Sequence, residues 1–243
     1  MNRSGKYYRP GLERASKVEE LFSHIAPRYD LINDLQSAGL HRIWKRRLVR
    51  LAEVPAGGRA LDLCCGTGDV VRTLARTYPG AALIAGLDFA MPMLRIAVLR
   101  SASRRAAPKL LYLRGDALEI PLRDASFDRI TISYGLRNVA DIDACLAEVR
   151  RVLKPGGSFL VLDFGKPPNR FVSSLYFAYL RAAVPLFGRI FFGDPDTHGY
   201  IYDSLLRFPS QEETAQRLRA NGFARVRVEN PFLGIMGIVI AES

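Results

Sequence analysis

The sequence is short of the residues that build disulfide scaffolds, metal sites and membrane spans. It holds three cysteines, and two of them, Cys64 and Cys65, are adjacent. They make no disulfide framework, and a reducing compartment is expected. No Cys/His set stands at zinc spacing, so no metal site is expected and the two cysteines read as small packing residues. No run of about 18 apolar residues is free of charge, which argues against a spanning helix. Residues 1–10 are basic and polar and lack the apolar segment of a secretory signal. No Gly-Lys-Ser/Thr follows a glycine run, which excludes a P-loop. Acidic residues are few: 24 Asp and Glu face 35 Lys and Arg, for a net charge of +11. Such a balance suits nucleic acid, an anionic membrane or an anionic substrate, or is simply a solvated basic surface. Neither an internal repeat nor a linker is visible.

The chain is organised around Leu61-Asp62-Leu63-Cys64-Cys65-Gly66-Thr67-Gly68-Asp69. An apolar run ends at Asp62, small residues turn the chain, and a helical pattern opens at Asp69. A strand feeding a glycine turn and a helix N-terminus binds nucleotides, because the backbone can approach the ligand and free N–H groups face it. A dinucleotide fingerprint would need a third glycine where Val71 stands. The stretch instead resembles the first motif of class I S-adenosylmethionine (SAM) methyltransferases, D-x-G-x-G-x-G. Asp62, Gly66 and Gly68 match it, and Cys64 occupies its first glycine position.

Residues 1–17 carry no apolar period and read as a flexible basic arm. Val18, Leu21, Phe22 and Ile25 mark one face of a short helix ending at Pro27. Leu40 to Leu51 continues at helical spacing, with Ile43, Trp44 and Leu48 as packing residues. Tyr29, Asn33, Ser37 and His41, spaced by four, form a polar stripe that faces solvent or lines a site. From residue 59 strand and helix alternate. The strands are read at Ala60–Leu63, Ala82–Leu87, Leu110–Arg114, Arg129–Ser133 and Ser158–Phe164. The helices are Asp69–Thr77, Met91–Arg105 and Ile142–Leu153, the last stopped by Lys154-Pro155-Gly156-Gly157. This order predicts an α/β fold, a mostly parallel sheet covered on both faces. Ligands then sit at the carboxyl ends of the strands. Asp62, Asp88, Asp116, Ser133 and Asp163 all fall at such ends. Residues 165–200 form an aromatic insertion that Arg181 and Arg189 interrupt, read as an amphipathic lid. Ser210-Gln211-Glu212-Glu213 is a capping box. Ala224–Val228 and Gly234–Ala241 read as an antiparallel pair, completing a seven-stranded sheet. Residues 18–243 thus form one domain, with 18–58 as a cap over the substrate.

For SAM, Asp88 follows Asp62 at near the roughly 20-residue spacing of a ribose-binding acid, with Phe89 next to it. Asp116 can accept from the adenine amine, and the Ala117 N–H can serve a ring nitrogen. Gly66, Thr67 and Gly68 approach the methionine end, and Ser133 closes strand four under the sulfur. A more specific likeness follows. Tyr29-Asp30-x-x-Asn33-Asp34-x-x-Ser37-x-x-x-His41-x-x-Trp44 resembles the N-terminal signature of the UbiE/MenG family of quinone-ring C-methyltransferases. Arg151-Val152-Leu153-Lys154-Pro155-Gly156-Gly157 resembles its second signature. Ser133-Tyr134-Gly135-Leu136-Arg137-Asn138 and Arg207-Phe208-Pro209-x-Gln211-Glu212 are similar to further family stretches. The second signature usually ends Glu-Phe-Ser; here it ends Asp163-Phe164-Gly165. The Cys64-Cys65 pair resembles phylloquinone-type members.

The resemblance implies a Rossmann-like class I methyltransferase acting on demethylmenaquinol, or on the ubiquinone-precursor benzoquinol. It implies SAM contacts at Thr67, Asp88, Asp116, Ala117 and Ser133. Loss of a phenolic proton would make a ring carbon nucleophilic. His41, with an ordinary pKa near ~6.5, is the first candidate to accept that proton. Tyr29 and Asn33 could hold ring oxygens, and Arg137 and Asn138 could stabilise negative charge or activate a water. The prenyl tail, the aromatic insertion and the basic surface together suggest a cytoplasmic protein attached peripherally to the inner face of an anionic membrane. A homodimer stays open, and no nucleic-acid partner is expected. An RNA or protein methyltransferase is disfavoured. Ser133-Tyr134-Gly135-Leu136 stands where base-amine methylating enzymes carry Asn/Asp-Pro-Pro-Tyr/Phe, and a Pro-Cys nucleophile is absent. A methyltransferase for another phenol and a non-catalytic SAM-fold module are the remaining alternatives.

Overall fold

The structure, a computed structural model, describes residues 13–37, 39–102, 108–193 and 196–243. Its seven strands are β1 (Arg59–Leu63), β2 (Leu83–Asp88), β3 (Lys109–Arg114), β4 (Phe127–Ser133), β5 (Leu153–Phe164), β6 (Val226–Glu229) and β7 (Met236–Glu242). They form one sheet in the order β3-β2-β1-β4-β5-β7-β6. The first five are parallel, and β7 inserts antiparallel between β5 and β6. Strand order reverses at β1, with β2 and β3 added on one side and β4 and β5 on the other, so β1 and β4 flank the switch point where such sheets bind ligands.

Alternation explains the layering. Leu61 and Leu63 of β1 point into one core with Leu87 and Ile130, while Ala60 joins Ile84 and Leu160 in the other. Both faces are therefore buried, as a parallel sheet requires. The covering helices are α4 (Asp69–Thr77), α5 (Met91–Ser101), α6 (Ile142–Val152) and α9 (Gln211–Ala220). Helix α9 opens with the expected capping box: Ser210 Oγ accepts the Glu213 N–H, and the Glu213 carboxylate accepts the Ser210 N–H. The Lys154–Gly157 segment does not end before β5 as expected. It lies within β5, and the register steps across it, with Phe127 paired to Leu153 and Arg129 to Ser158.

Three further helices form the cap: α1 (Glu13–Ile25), α2 (Tyr29–Gln36) and α3 (Leu40–Ala52). Residues 13–17, expected in a flexible arm, belong to α1; residues 1–12 lie outside the described residues. Val18, Leu21 and Ile25 are buried as their spacing predicts. Helix α1 ends at Ile25, ahead of Pro27 as expected; Pro27 sits in a single 3-10 turn, Ala26–Arg28, which leads straight into α2. In α3 Leu48 and Val49 are buried, but Ile43, expected to pack, is 57% exposed, and His41 takes the interior instead. The aromatic insertion folds as α7 (Arg170–Phe192) and α8 (Asp196–Arg207), so its helices run beyond residue 200. Tyr176, Leu180 and Val184 of α7 are buried, and Phe171, Leu175 and Ile190 are exposed. By length and composition alone, Arg170–Phe191 could cross a membrane. Its place in the fold is tied down: Tyr179 Oη donates to the Gln36 carbonyl of α2 at 3.1 Å, and Arg28 Nη1 donates to the Phe191 carbonyl at 2.7 Å.

Candidate active site

The carboxyl ends of β1, β2, β3 and β4 enclose a cleft in two adjoining lobes that share Cys64, Asp88, Phe89 and Asn138. The outer lobe adds Asp116, Ala117, Leu118 and Val139. The inner lobe adds Gly66, Ser133, Tyr134, Gly135 and Tyr29. Asp88 lies at the junction. Its Oδ2 accepts the Gly66 N–H at 2.7 Å and its Oδ1 the Ala90 N–H at 2.9 Å. Burial raises its pKa, and those backbone donors oppose the rise. Each carboxylate oxygen keeps a second lone pair for a ligand hydroxyl. Asp116 is exposed on the outer wall, with Oδ1 accepting the Leu118 N–H at 2.9 Å.

The turn after β1 shows why its residues are small. Cys64 takes a left-handed φ of 51° and Gly66 one of 53°. The first position costs a non-glycine residue strain, which is the physical sense of a glycine in the usual motif. Cys64 in turn constrains Gly135, where a Cβ would meet the Cys64 Cβ at 2.5 Å. Gly68 serves packing: a Cβ there would lie 2.8 Å from Tyr112 Oη and 2.9 Å from the Ala97 Cβ.

Asp62, Thr67 and Gly68 line neither lobe. Asp62 sits beneath the turn, 1% exposed, with Oδ1 accepting the Thr131 hydroxyl at 2.7 Å. Burial pushes its pKa up to about 7. The Thr67 hydroxyl donates to Asp30 at 3.0 Å, so α2 reaches over to the glycine turn. Asp30 also pairs with Arg100 of α5.

Beyond Tyr29 and Tyr134, which line both, the inner lobe adjoins a larger cavity. Its empty volume is about 740 Å³, open solvent at the mouth included. Cap residues Asn33, Gln36, Ser37, His41, Trp44 and Lys45 form one wall. Arg137 from the 3-10 turn Leu136–Asn138 after β4, Phe164 at the end of β5, and Tyr179, Leu180, Val184 and Tyr200 from α7 and α8 face it. The polar stripe at Tyr29, Asn33, Ser37 and His41 therefore lines this cavity. Asn138 falls in the two lobes of the cleft, its Nδ2 donating to the Tyr134 carbonyl at 3.2 Å.

Electrostatics divide the cavity. Arg137 and Asp163, both 4% exposed at the side chain, form a pair at 2.6 Å. Burial opposes the guanidinium charge, but the adjacent Asp163 carboxylate outweighs it and holds the pKa well above the ordinary value. The guanidinium stacks over Phe164, 4.9 Å from its centroid. At the cap, His41 Nδ1 lies 2.9 Å from Ser37 Oγ and Nε2 lies 3.7 Å from Asp34 Oδ1. Burial, with Lys45 assisting, lowers the His41 pKa to about 4. The ordinary value assumed for this base does not hold here, and the imidazole is neutral near pH 7. Burial likewise raises the Tyr29 phenol.

A model of the ubiE/COQ5 methyltransferase family matches residues 12–242. The chain belongs to that family. Among relatives, the Pseudomonas putida "Ubiquinone/menaquinone biosynthesis C-methyltransferase UbiE" is 37% identical over 229 residues, covering 94% of this chain and 90% of that one. The Paracoccus denitrificans protein of the same name is 39% identical over 226 residues, covering 93% and 90%. Solved structures share the fold at lower identity. A Thermotoga maritima SAM-dependent methyltransferase superposes with TM-score 0.63 at 20% identity, covering 92% of this chain and 98% of that one. The methyltransferase in a complex with Haloferax volcanii Trm112 gives 0.65 at 18%, covering 91% and 96%. This ubiE/COQ5 member is a SAM-dependent C-methyltransferase. Its residues fit the cofactor: an acid for a diol at Asp88, an acid beside a backbone N–H at Asp116 and Ala117, and apolar walls at Phe89, Leu118 and Val139.

The sequence reading missed Asp30 as a tie between cap and turn, although the signature contained it. It also missed Gln36, Trp44, Tyr134, Phe164 and Tyr200 as cavity walls. Only the spacing of Gln36 and Trp44 within amphipathic helices could have signalled theirs.

Proposed function

We propose that this chain methylates a ring carbon of a prenylated quinol, demethylmenaquinol first and the ubiquinone-precursor benzoquinol second. The observation that carries the proposal is the aromatic cavity adjoining the cofactor cleft across Tyr29 and Tyr134, with a fixed cation at its sheet end. The names of the Pseudomonas and Paracoccus relatives agree with it. When bound, SAM supplies an electrophilic methyl group. The protein's residues do the remaining work. Aromatic walls stack the ring and exclude water, and alignment contributes about 7–11 kcal/mol in favourable cases.

Deprotonating the phenol makes the ring carbon reactive, and once that carbon carries the methyl group its C–H bond breaks, the proton leaving to solvent as the aromatic ring is restored. Arg137, buried and always charged, stabilises the resulting oxyanion. His41 is neutral, so its nitrogens can hold or receive a proton, but a pKa near 4 makes it a weak base. Anion stabilisation at Arg137 therefore contributes more than proton abstraction at His41. Asp88 and Asp116 hold the cofactor. Asn33 and Tyr29 position the ring.

The exposed side of α7, carrying Phe171, Leu175 and Ile190, meets the bilayer that contains the prenyl tail, and the basic surface meets anionic head groups. Contact of this kind is peripheral, since α7 also walls the cavity. Vesicle cosedimentation should fall with salt; equal recovery in the supernatant with and without anionic vesicles contradicts membrane contact.

Expression in two quinone-deficient strains, one lacking each methylation, tests the function. Restored menaquinone in lipid extracts, read by mass spectrometry, is the expected result. Restoration of neither quinone, with the protein present and binding SAM, contradicts it.

A further inference from the structure

Among the described residues, Gln36 Nε2 and Tyr134 Oη are buried polar atoms of cavity-lining side chains without a hydrogen-bond partner. A buried polar atom that nothing bonds carries a desolvation cost that a bonding ligand atom relieves. Neighbouring polar groups in the same wall are bonded, including Ser37 to His41 and Arg137 to Asp163. The two atoms come from opposite sides. Gln36 ends α2 on the cap, and its backbone carbonyl is held by Tyr179 of α7. Tyr134 follows β4 on the sheet side.

Tyr134 is held in place against its own preference. Its φ is 58°, a left-handed value that a bulky residue adopts only when its surroundings impose it. Its N–H donates to the Leu162 carbonyl at 2.8 Å, and its carbonyl accepts from Arg137 Nη1 at 3.0 Å and Asn138 Nδ2 at 3.2 Å. Tyr134 therefore stands fixed at the boundary of the ring cavity and the cofactor cleft, lining both, with its hydroxyl oxygen buried and unpartnered.

The geometry points to Gln36 and Tyr134 as specificity-determining residues that bond the two oxygens of a 1,4-dihydroxylated ring, one from the cap and one from the sheet. This rests on the quinol reading above and adds to it. The cavity requires the reduced diol, and a ring with one oxygen leaves one wall atom unsatisfied. Sites built to bond a substrate hydroxyl reject analogues lacking it by far more than apolar pockets reject a missing methylene.

Trp44 is the sole tryptophan and lines the cavity, so its fluorescence reports ring binding without turnover. The experiment titrates the full chain with SAM, anaerobically, using 2-prenyl-1,4-naphthohydroquinone and 2-prenyl-1-naphthol. The wild type should bind the diol at least about tenfold more tightly than the mono-ol. Gln36→Met and Tyr134→Phe, which keep side-chain bulk, should each shrink that ratio, and the double variant should bring it near one. Calorimetric SAM binding by Gln36→Met confirms that the variant folds. Equal wild-type affinity for both rings, or an unchanged ratio in the double variant, overturns the assignment while leaving quinol methylation standing. Failure of the wild type to bind either ring, with SAM binding intact, overturns the quinol reading and this assignment together.

Discussion

The cofactor cleft and the ring cavity adjoin, yet they are built in opposite ways. The cleft comes from consecutive strand ends, and its central acid is already bonded: Asp88 accepts two backbone N–H groups before any ligand arrives. The cavity is gathered from α2, α3, the segment after β4, the end of β5, α7 and α8, and its wall retains unpartnered atoms at Gln36 and Tyr134. The cleft is thus preorganised by the backbone, whereas the cavity is completed by its ligand. That difference orders the effects of mutation.

The largest effect is expected inside the cavity, at the buried pair. Arg137→Gln strips the buried Asp163 carboxyl of its ion-pair partner, and breaking such a pair costs about 3–5 kcal/mol of stability. Turnover should fall by about 10²–10³-fold even where the variant is folded, since an anion-stabilising donor is gone. Urea melts and single-turnover kinetics read the two losses separately. Near-normal turnover would move the oxyanion away from Arg137.

Next comes Asp88→Asn in the cleft. Loss of a charged acceptor should weaken SAM binding by roughly 10- to 100-fold. Ring binding read through Trp44 should barely change. Equal losses at both sites would erase the division between the two regions.

Asp30→Asn attacks the tie between them. The Thr67 hydroxyl and Arg100 both lose their anionic partner. An effect of about 1–2 kcal/mol is expected, shared between SAM and ring affinity. By linkage, each ligand should then promote the other's binding less than in the wild type. Unaltered coupling would show that Asp30 only stabilises the cap.

The smallest effect concerns pH. Folding lowers the His41 pKa from 6.5 to about 4. Between those values the unfolded chain binds more protons at this site, so His41's contribution to stability is complete above pH 6.5 and declines as pH falls toward 4. Asp62 has the opposite sign. Its pKa rises to about 7, so its contribution is greatest in acid and is lost as pH climbs to neutrality. Wild type minus His41→Gln, melted from pH 4 to 7, isolates the first term. A difference that does not vary with pH would place an ordinary imidazole at residue 41.

The same contrast governs what could be read from the chain. Strand ends, the glycine turn and the acids at Asp88 and Asp116 are local features, with alternation and turn chemistry contained in short windows. The capping box at Ser210 is equally local and appears as expected. Cavity walls are not local. Tyr200 and Trp44 come to line one cavity only through tertiary packing, and no spacing records it. His41 was recognisable as a candidate, but its lowered basicity depends on burial and on Lys45, which only the folded cap brings to bear. Ile43 fits the apolar period and is nonetheless exposed, because α3 turns His41 inward toward the cavity.

One assay addresses the central claim directly. The protein is incubated anaerobically with methyl-¹³C-labelled SAM and a prenylated naphthohydroquinone, and the product is read by carbon NMR. The account predicts label in a methyl group on a ring carbon, lost when Arg137 is replaced by Gln. Label on a ring oxygen, or no transfer by a protein that binds both SAM and the ring, would contradict it.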